Sequence, residues 1–444
     1  MLSAFVSAFR TPDLRKKLFF TLGMIALYRL GASLPTPNTD TGSINDCLEQ
    51  VQGGASQGVY SLINLFSGGA LLKLSVFALG IMPYITSSII MQILTVVIPK
   101  LQQWQEQGAV GQRKITQWTR YLTIAIAILQ STGLVFLFKN GGGGLSTNDS
   151  INLVPNFGLF RVMLIVGTLT AGTALLMWMG EAITQRGIGN GMSLIIFSSV
   201  VSALPATGTQ VQASAGWGGV VLVIAMAILM LVFVVFIEQG QRRIPVEFAK
   251  RVVGRRQYGG QRSYIPLKVN QAGVIPIIFA SAVLNLPVLL SQVLPADGWG
   301  KSVSNFIDDV FRRSTHPLYM VFYGLLIVGF AYFYTAIAFD PVQQADNLRK
   351  QSGHIPGYRP GPQTEKYLAK VLSRITLPGA LFIAVLAIAP AILVSQIVND
   401  DNGSIAYNFG GTSLLIAVGV ALETMKQIDG QLMMRNYEGF LGGK

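Results

Sequence analysis

Few residues in this chain could carry out covalent chemistry. Gly54-Ala55-Ser56-Gln57-Gly58 spells G-x-S-x-G, the elbow on which hydrolases raise a nucleophilic serine. That elbow needs a strained strand-to-helix turn with a histidine and an acid in reach. Here it lies in a polar stretch between helical runs, and His316 and His354 are the two histidines of the chain. Arg186–Gly191 reads RGIGNG and looks like part of a phosphate-cradling loop. It lacks the preceding strand and the third glycine of a dinucleotide fingerprint. A tight turn, with glycine supplying a positive φ, explains it better. The nucleoside-triphosphate loop G-x-x-x-x-G-K-[ST] does not occur. Cys47 is the single cysteine, which excludes an intrachain disulfide and any cysteine metal site. We therefore expect no enzyme, no cofactor and no metal.

The elements around these residues explain the poverty of chemistry. The 444 residues are 51% hydrophobic and 12% charged, about half the charge of a soluble domain. A bilayer core needs about 20 apolar helical residues to cross it. Ten stretches approach that length: Leu18–Leu34, Leu74–Ile98, Tyr121–Phe138, Val162–Gly180, Ile188–Leu204, Trp217–Ile237, Val269–Leu294, Pro317–Phe339, Leu377–Ile397 and Gly410–Met425. The first follows Arg10, Arg15, Lys16 and Lys17, as a signal peptide would. Its length and the lack of a small-residue cleavage site favour an uncleaved span. Arg29 and Glu423 lie close enough to span ends to snorkel.

The net charge is +13, and its placement is one-sided. Loops on one side of the ten spans hold 26 Lys and Arg, while the opposite loops hold 4. The positive-inside rule then puts both termini in the cytoplasm, as ten spans also require. The expected fold is an all-α membrane protein of two five-helix halves with opposite orientation. Residues 1–205 form the first half, 206–216 an external hinge loop, 217–427 the second half and 428–444 a cytoplasmic tail. Opposed halves suit an inverted repeat with a site at the midplane, although the halves share no sequence identity.

Three features within this frame have a sharp reading and a bland one. Ser61–Lys73, SLINLFSGGALLK, is too short to cross and holds Asn64, Ser67, Gly68 and Gly69. It is either an interfacial segment or a short helix dipping into the protein, where irregular backbone is tolerated. The second span carries Pro83, expected to kink it, then Thr86, Ser87, Ser88 and Gln92. Such polar groups face helices or water rather than lipid, and simple helix-to-helix adhesion would explain them. Two basic loops, Glu238–Lys268 and Asp340–Arg374, exceed what orientation requires. Anionic lipid accounts for part of that charge, and docking of a large anionic partner for the rest. No Asp, Glu or Lys lies in mid-span, where coupled transporters hold their ions. A passive conduit fits better than the alternative, a secondary transporter of a small solute.

The chain resembles the SecY family of protein-conducting channels from Leu14 to Tyr437. The resemblance is carried by Phe66–Leu71 (FSGGAL), Phe77–Ile85 (FALGIMPYI), Trp178–Gly191 (WMGEAITQRGIGNG), Gly240–Ile244 (GQRRI), Pro266–Phe279 (PLKVNQAGVIPIIF), Ala345–Lys350 (ADNLRK), Pro356–Thr364 and Phe409–Ile416 (FGGTSLLI). It implies an hourglass channel in the bacterial plasma membrane. The channel would pass unfolded secretory polypeptides across and release transmembrane segments sideways into lipid. A plug half-helix at 61–72, with Asn64, Phe66, Ser67, Gly68 and Gly69, would close the external funnel. Ile81, Ile85, Met192, Ile196, Ile278 and Ile416 would form the pore ring. Thr86, Ser87, Gln92, Gln130, Asn270 and Leu286 would line a lateral gate. Arg242, Arg243, Arg251, Arg255, Arg256, Lys350 and Arg359 would dock a motor or ribosome. The implied partners are SecE and SecG, the SecA ATPase, the ribosome, signal sequences and anionic lipids.

Overall fold

The computed structural model describes residues 9, 11–37, 70, 74–139, 158–248, 251–253, 256–258, 262–291, 303, 306–307, 310–311, 316–398 and 411–441. In chain order its elements are α1 (Pro12–Ser33), α2 (Met82–Val97), α3 (Pro99–Glu106), α4 (Ala109–Lys139), α5 (Leu159–Arg186), α6 (Gly191–Gln239), β1 (Gln241–Phe248), β2 (Arg251–Val253), β3 (Arg256–Tyr258), β4 (Arg262–Lys268), α7 (Ile275–Ser291), α8 (Pro317–Ala338), α9 (Pro341–Lys350), β5 (Gly353–His354), α10 (Pro362–Val398) and α11 (Gly411–Leu441). Each of the ten expected spans overlaps a helix, the fifth and sixth sharing α6. Among the described residues, four helices are long and apolar enough by themselves to cross a membrane. The second half of α6 shows why lipid is the solvent. Trp217, Val221, Leu222, Ile228, Val232 and Phe236 are all more than half exposed, a face that water would not tolerate.

Two helix boundaries differ from expectation. The second span does not kink at Pro83. Residues 74–81 form turns, α2 begins at Met82, and Pro83 falls in its first turn. There the missing N–H has no helical partner to lose. At its other end Ile98 is extended before Pro99, as a residue preceding proline must be. The chain accordingly turns by 99° from α2 into α3. The 206–216 segment, expected as a loop, is helical as far as Ala215. Its Ala and Gln residues tolerate helix, and Gly216 stops it with a φ of 65°.

Two of the apolar cores among the described residues bring distant helices together. One joins Met230 and Val234 of α6 to Ile277 of α7, Ile327 of α8 and Ile383 of α10. The other joins Tyr28 of α1, Leu176 and Ile183 of α5, and Leu194 and Val200 of α6. Phe279 of α7 and Val420 of α11 enter this second core, so it is where the two halves meet.

A small sheet adds to the helical frame. Strand β1 pairs antiparallel with β4 from Gln241↔Lys268 to Glu247↔Arg262. Its far end pairs with β5 through Glu247↔His354 and Phe248↔Gly353. The two basic loops, about a hundred residues apart in sequence, are therefore stitched into one sheet of order β4-β1-β5. Ile244 and Val246 alternate inward along β1, as period two demands. They pack with Leu348 of α9 and Leu368 and Leu372 of α10.

Candidate functional site

The six expected ring residues converge. Ile81, Ile85, Ile196, Ile278 and Ile416 are all buried members of the core where the halves meet, and Met192 packs against it. They come from the beginnings of four helices. Ile81 caps α2 and Ile85 lies one turn in. Met192 and Ile196 stand one turn apart at the start of α6, on one face. Ile278 is in the first turn of α7 and Ile416 near the start of α11. Ile416 is 0% exposed and Ile278 7%. Met192 lies over Gly180 of α5, where an added Cβ would meet its sulfur at 2.3 Å. Ala70, within the expected 61–72 plug, is buried in the same core. Asn64, Phe66, Ser67, Gly68 and Gly69 lie outside the described residues.

The expected seam follows the contact of α2 with α7. Thr86 donates its hydroxyl hydrogen to the carbonyls of Met82 and Pro83, at 2.9 and 3.0 Å. Ser87 donates to Pro83 O at 2.6 Å. Both hydroxyls are thus satisfied within their own helix, so neither adheres to a neighbour through these bonds. Gln92 on α2 and Gln130 on α4 are half-buried, and the Leu286 side chain lies outside the described residues. Asn270 is buried where the chain enters α7. Its Nδ2 donates to Glu238 Oε2 at 3.0 Å and to Gly273 O at 3.2 Å. Among the described residues its Oδ1 is buried with no hydrogen-bond partner.

On the sheet, Arg242 and Arg243 are exposed, and the Arg243 guanidinium lies 4.9 Å from the Tyr264 ring centroid. Lys350 is exposed in the last turn of α9, where a cation suits the helix dipole. Arg359 is exposed on a braced loop. Thr364 Oγ1 donates to its carbonyl at 2.9 Å, and Tyr358 packs on Tyr367 with ring centroids 4.2 Å apart. The structure therefore brings Arg242, Arg243, Lys350 and Arg359 onto one sheet-centred unit. Arg255 and the side chains of Arg251 and Arg256 lie outside the described residues.

The Arg186–Gly191 segment is a tight turn between α5 and α6. Several N–H groups at and just after it are engaged within the protein: Ile188 N donates to Thr21 Oγ1, Gly191 N to Thr184 Oγ1 and Met192 N to Asn190 Oδ1. Gly189 takes the positive φ, 87°, that a tight turn requires. Two polar pairs escaped the sequence reading. One is Glu238 with Asn270. The other is a bidentate ion pair between Arg120 of α4 and Glu181 of α5, with Arg120 Nε donating to Oε1 at 2.9 Å. Glu181 sits within the WMGEAITQRGIGNG stretch, which was a signal for the residue but not for its partner.

The SecY family model matches residues 75–425 of this chain. The protein translocase subunit SecY of Mycobacterium tuberculosis (strain ATCC 25618 / H37Rv) is 50% identical over 450 residues, spanning 99% of this chain and 100% of that protein. That of Streptomyces scabiei is 49% identical over 446 residues, with the same 99% and 100% coverage. Two solved structures share the fold over 93% of this chain and 91% of theirs. One is a SecY protein whose plug domain stabilizes the closed state of the translocation channel, at TM-score 0.61 and 19% identity. The other is Sec61 in the canine ribosome-channel complex from the endoplasmic reticulum, at TM-score 0.55 and 18% identity.

Proposed function

We propose, from the premise that this chain belongs to the SecY family, that its waist of apolar side chains is the pore of a protein-conducting channel. The chain is the central subunit, passing unfolded secretory polypeptides across the membrane and releasing transmembrane segments sideways. One observation carries the reading of the site: six apolar residues from four helices meet in the core between the two halves. A ring of that chemistry repels water and so bars ions. It also closes around a moving chain without preferring a sequence, because apolar contact is non-directional.

The rest of the reading follows from the same frame. The 61–72 segment is the plug, and the α2–α7 contact is the lateral gate. The sheet-centred unit with Arg242, Arg243, Lys350 and Arg359 receives SecA or a ribosome. SecE and SecG complete the channel. The motor has to come from a partner, since this sequence holds no nucleoside-triphosphate loop. The channel sits in the bacterial plasma membrane with both termini in the cytoplasm.

Proteoliposomes holding this chain with its co-purifying partners test the function. Addition of a secretory precursor, motor and ATP should move the precursor into a protease-protected space. Uptake of small solutes without precursor translocation would return the transporter reading. Orientation is tested separately at Cys47, which lies outside the described residues. A membrane-impermeant maleimide should label it in intact spheroplasts, and labelling only after lysis would invert every loop.

A further inference from the structure

Helix α1 gives no residue to the proposed ring, yet it holds the stretches that carry Ile81, Met192 and Ile196. Its Tyr28 is 0% exposed, deep in the core where the halves meet. The Tyr28 ring stacks on Phe77, with centroids 6.0 Å apart and planes 17° apart. Phe77 belongs to the turns that lead to Ile81, and its carbonyl accepts from Gly80 N at 2.8 Å. Gly31, about one turn along α1, makes room for this stack. An added Cβ there would run into the Phe77 ring.

The Tyr28 hydroxyl is hydrogen-bonded to Ser199 of α6. Ser199 Oγ in turn donates to Ile196 O at 2.7 Å. A serine hydroxyl has one hydrogen and two lone pairs, so Tyr28 is the donor in the first bond. The relay runs from Tyr28 through Ser199 and ends on the backbone of a ring residue. Ser199 is fully buried, so bulk water does not stand in for a lost partner. The other end of this stretch is tied to α1 as well. Ile188 N donates to Thr21 Oγ1 at 3.1 Å, and Thr21 lies about two turns before Tyr28 on one face of α1. Residues 188–199, with Met192 and Ile196 between, are thus bound to α1 at both ends.

We propose that Tyr28 is a positioning residue for the pore ring. Its aromatic ring sets the approach to Ile81, and its hydroxyl sets Ile196 through Ser199. An apolar constriction bars water and ions by staying dry, so the placement of its members matters as much as their chemistry. The inference rests on the ring proposed above.

The test measures resting ion conductance in planar bilayers, without precursor, on channels purified with their partners. Melting midpoints are recorded alongside. Tyr28→Phe keeps the stack on Phe77 and removes only the hydroxyl. It should raise conductance about fivefold, the population shift that one lost hydrogen bond gives. Ser199→Ala breaks the same relay from the other side and should give a similar rise. The double variant should conduct no more than the leakier single one, because both changes act on one bond. Tyr28→Leu loses the stack as well and should conduct more than Tyr28→Phe. In an Ile416→Asn channel, whose ring is already wetted, Tyr28→Phe should add little. Where Tyr28→Leu does not accumulate, the two single-hydroxyl variants decide alone. A lower midpoint with wild-type conductance would make Tyr28 structural and overturn the proposal, as would rises that add in the double variant. A rise in Tyr28→Leu alone would strike out the relay to Ile196. Wild-type conductance in Ile416→Asn itself, and in Ile278→Asn, would remove the ring and this inference with it, whereas leakage there and none in the Tyr28 variants would sink the inference and spare the ring.

Discussion

An isoleucine of the proposed ring would act through what it withholds from water and ions. Ile416 is 0% exposed and Ile278 7%, with the other ring members packed beside them. Replacing either with asparagine places an amide in a dry core, where a missing partner costs about 1–3 kcal/mol. That cost falls when water enters. Ile278→Asn and Ile416→Asn should therefore raise resting ion conductance in planar bilayers several-fold and widen tolerance of weak signal sequences. Unchanged conductance in both variants would remove them from the ring. Ile278 and Ile416 were singled out because they sit inside the stretches that carry the family resemblance. Glu238 with Asn270, and Arg120 with Glu181, were not. Their partners are 32 and 61 residues apart, and no periodicity links such distances.

Among elements, the ten apolar stretches could be read from length alone, since lipid demands helices of one size. The β1–β4 hairpin could not. Its inward residues, Ile244 and Val246, alternate over a few positions amid arginines, too short a signal for a span-length window. Its pairing with β5 depends on contacts between distant loops. Close approaches were equally hidden. Gly172 of α5 meets the turn segment that ends in Ile81: an added Cβ would lie 2.0 Å from Val76 O. That oxygen belongs to backbone and cannot swing aside. Gly172→Ala should cost about 1–3 kcal/mol by overpacking, seen as a lower melting midpoint of the detergent-extracted complex. An unchanged midpoint would mean that the two elements sit farther apart. The Arg359 loop makes the opposite prediction, loss of function without loss of fold. Its bracing uses the Arg359 carbonyl and the Tyr358 ring, while the guanidinium side chain is exposed. Arg359→Glu reverses a charge aimed at an anionic partner, and translocation should fall about tenfold or more. The melting midpoint should stay put; a parallel drop in both would make Arg359 structural.

At the scale of the molecule, the waist draws on the second, fifth, seventh and tenth spans. In the order of spans expected from the sequence, the second corresponds to the seventh and the fifth to the tenth, and the charge reading runs each pair in opposite directions. A waist shared by two halves can widen only if they part somewhere, and α2 and α7 meet across that junction, with Ile85 and Phe279 in one core. Neither Thr86 nor Ser87 reaches across by hydrogen bond, since each bonds its own helix. Adhesion there is mainly apolar and needs no exchange of polar partners to open. A Thr86→Cys, Leu286→Cys pair in a Cys47→Ser background tests this. A disulfide forms where Cα atoms come within about 7 Å, so oxidation should crosslink α2 to α7 in the membrane-embedded complex. The crosslinked channel should stop admitting signal sequences and translocating precursor, and reduction should restore both. A conduit for small solutes would work equally well with this junction fastened, because nothing in its cycle opens towards lipid. Efficient crosslinking with full translocation would mean the halves part elsewhere, and no crosslinking under any oxidant would place these two positions out of reach of one another.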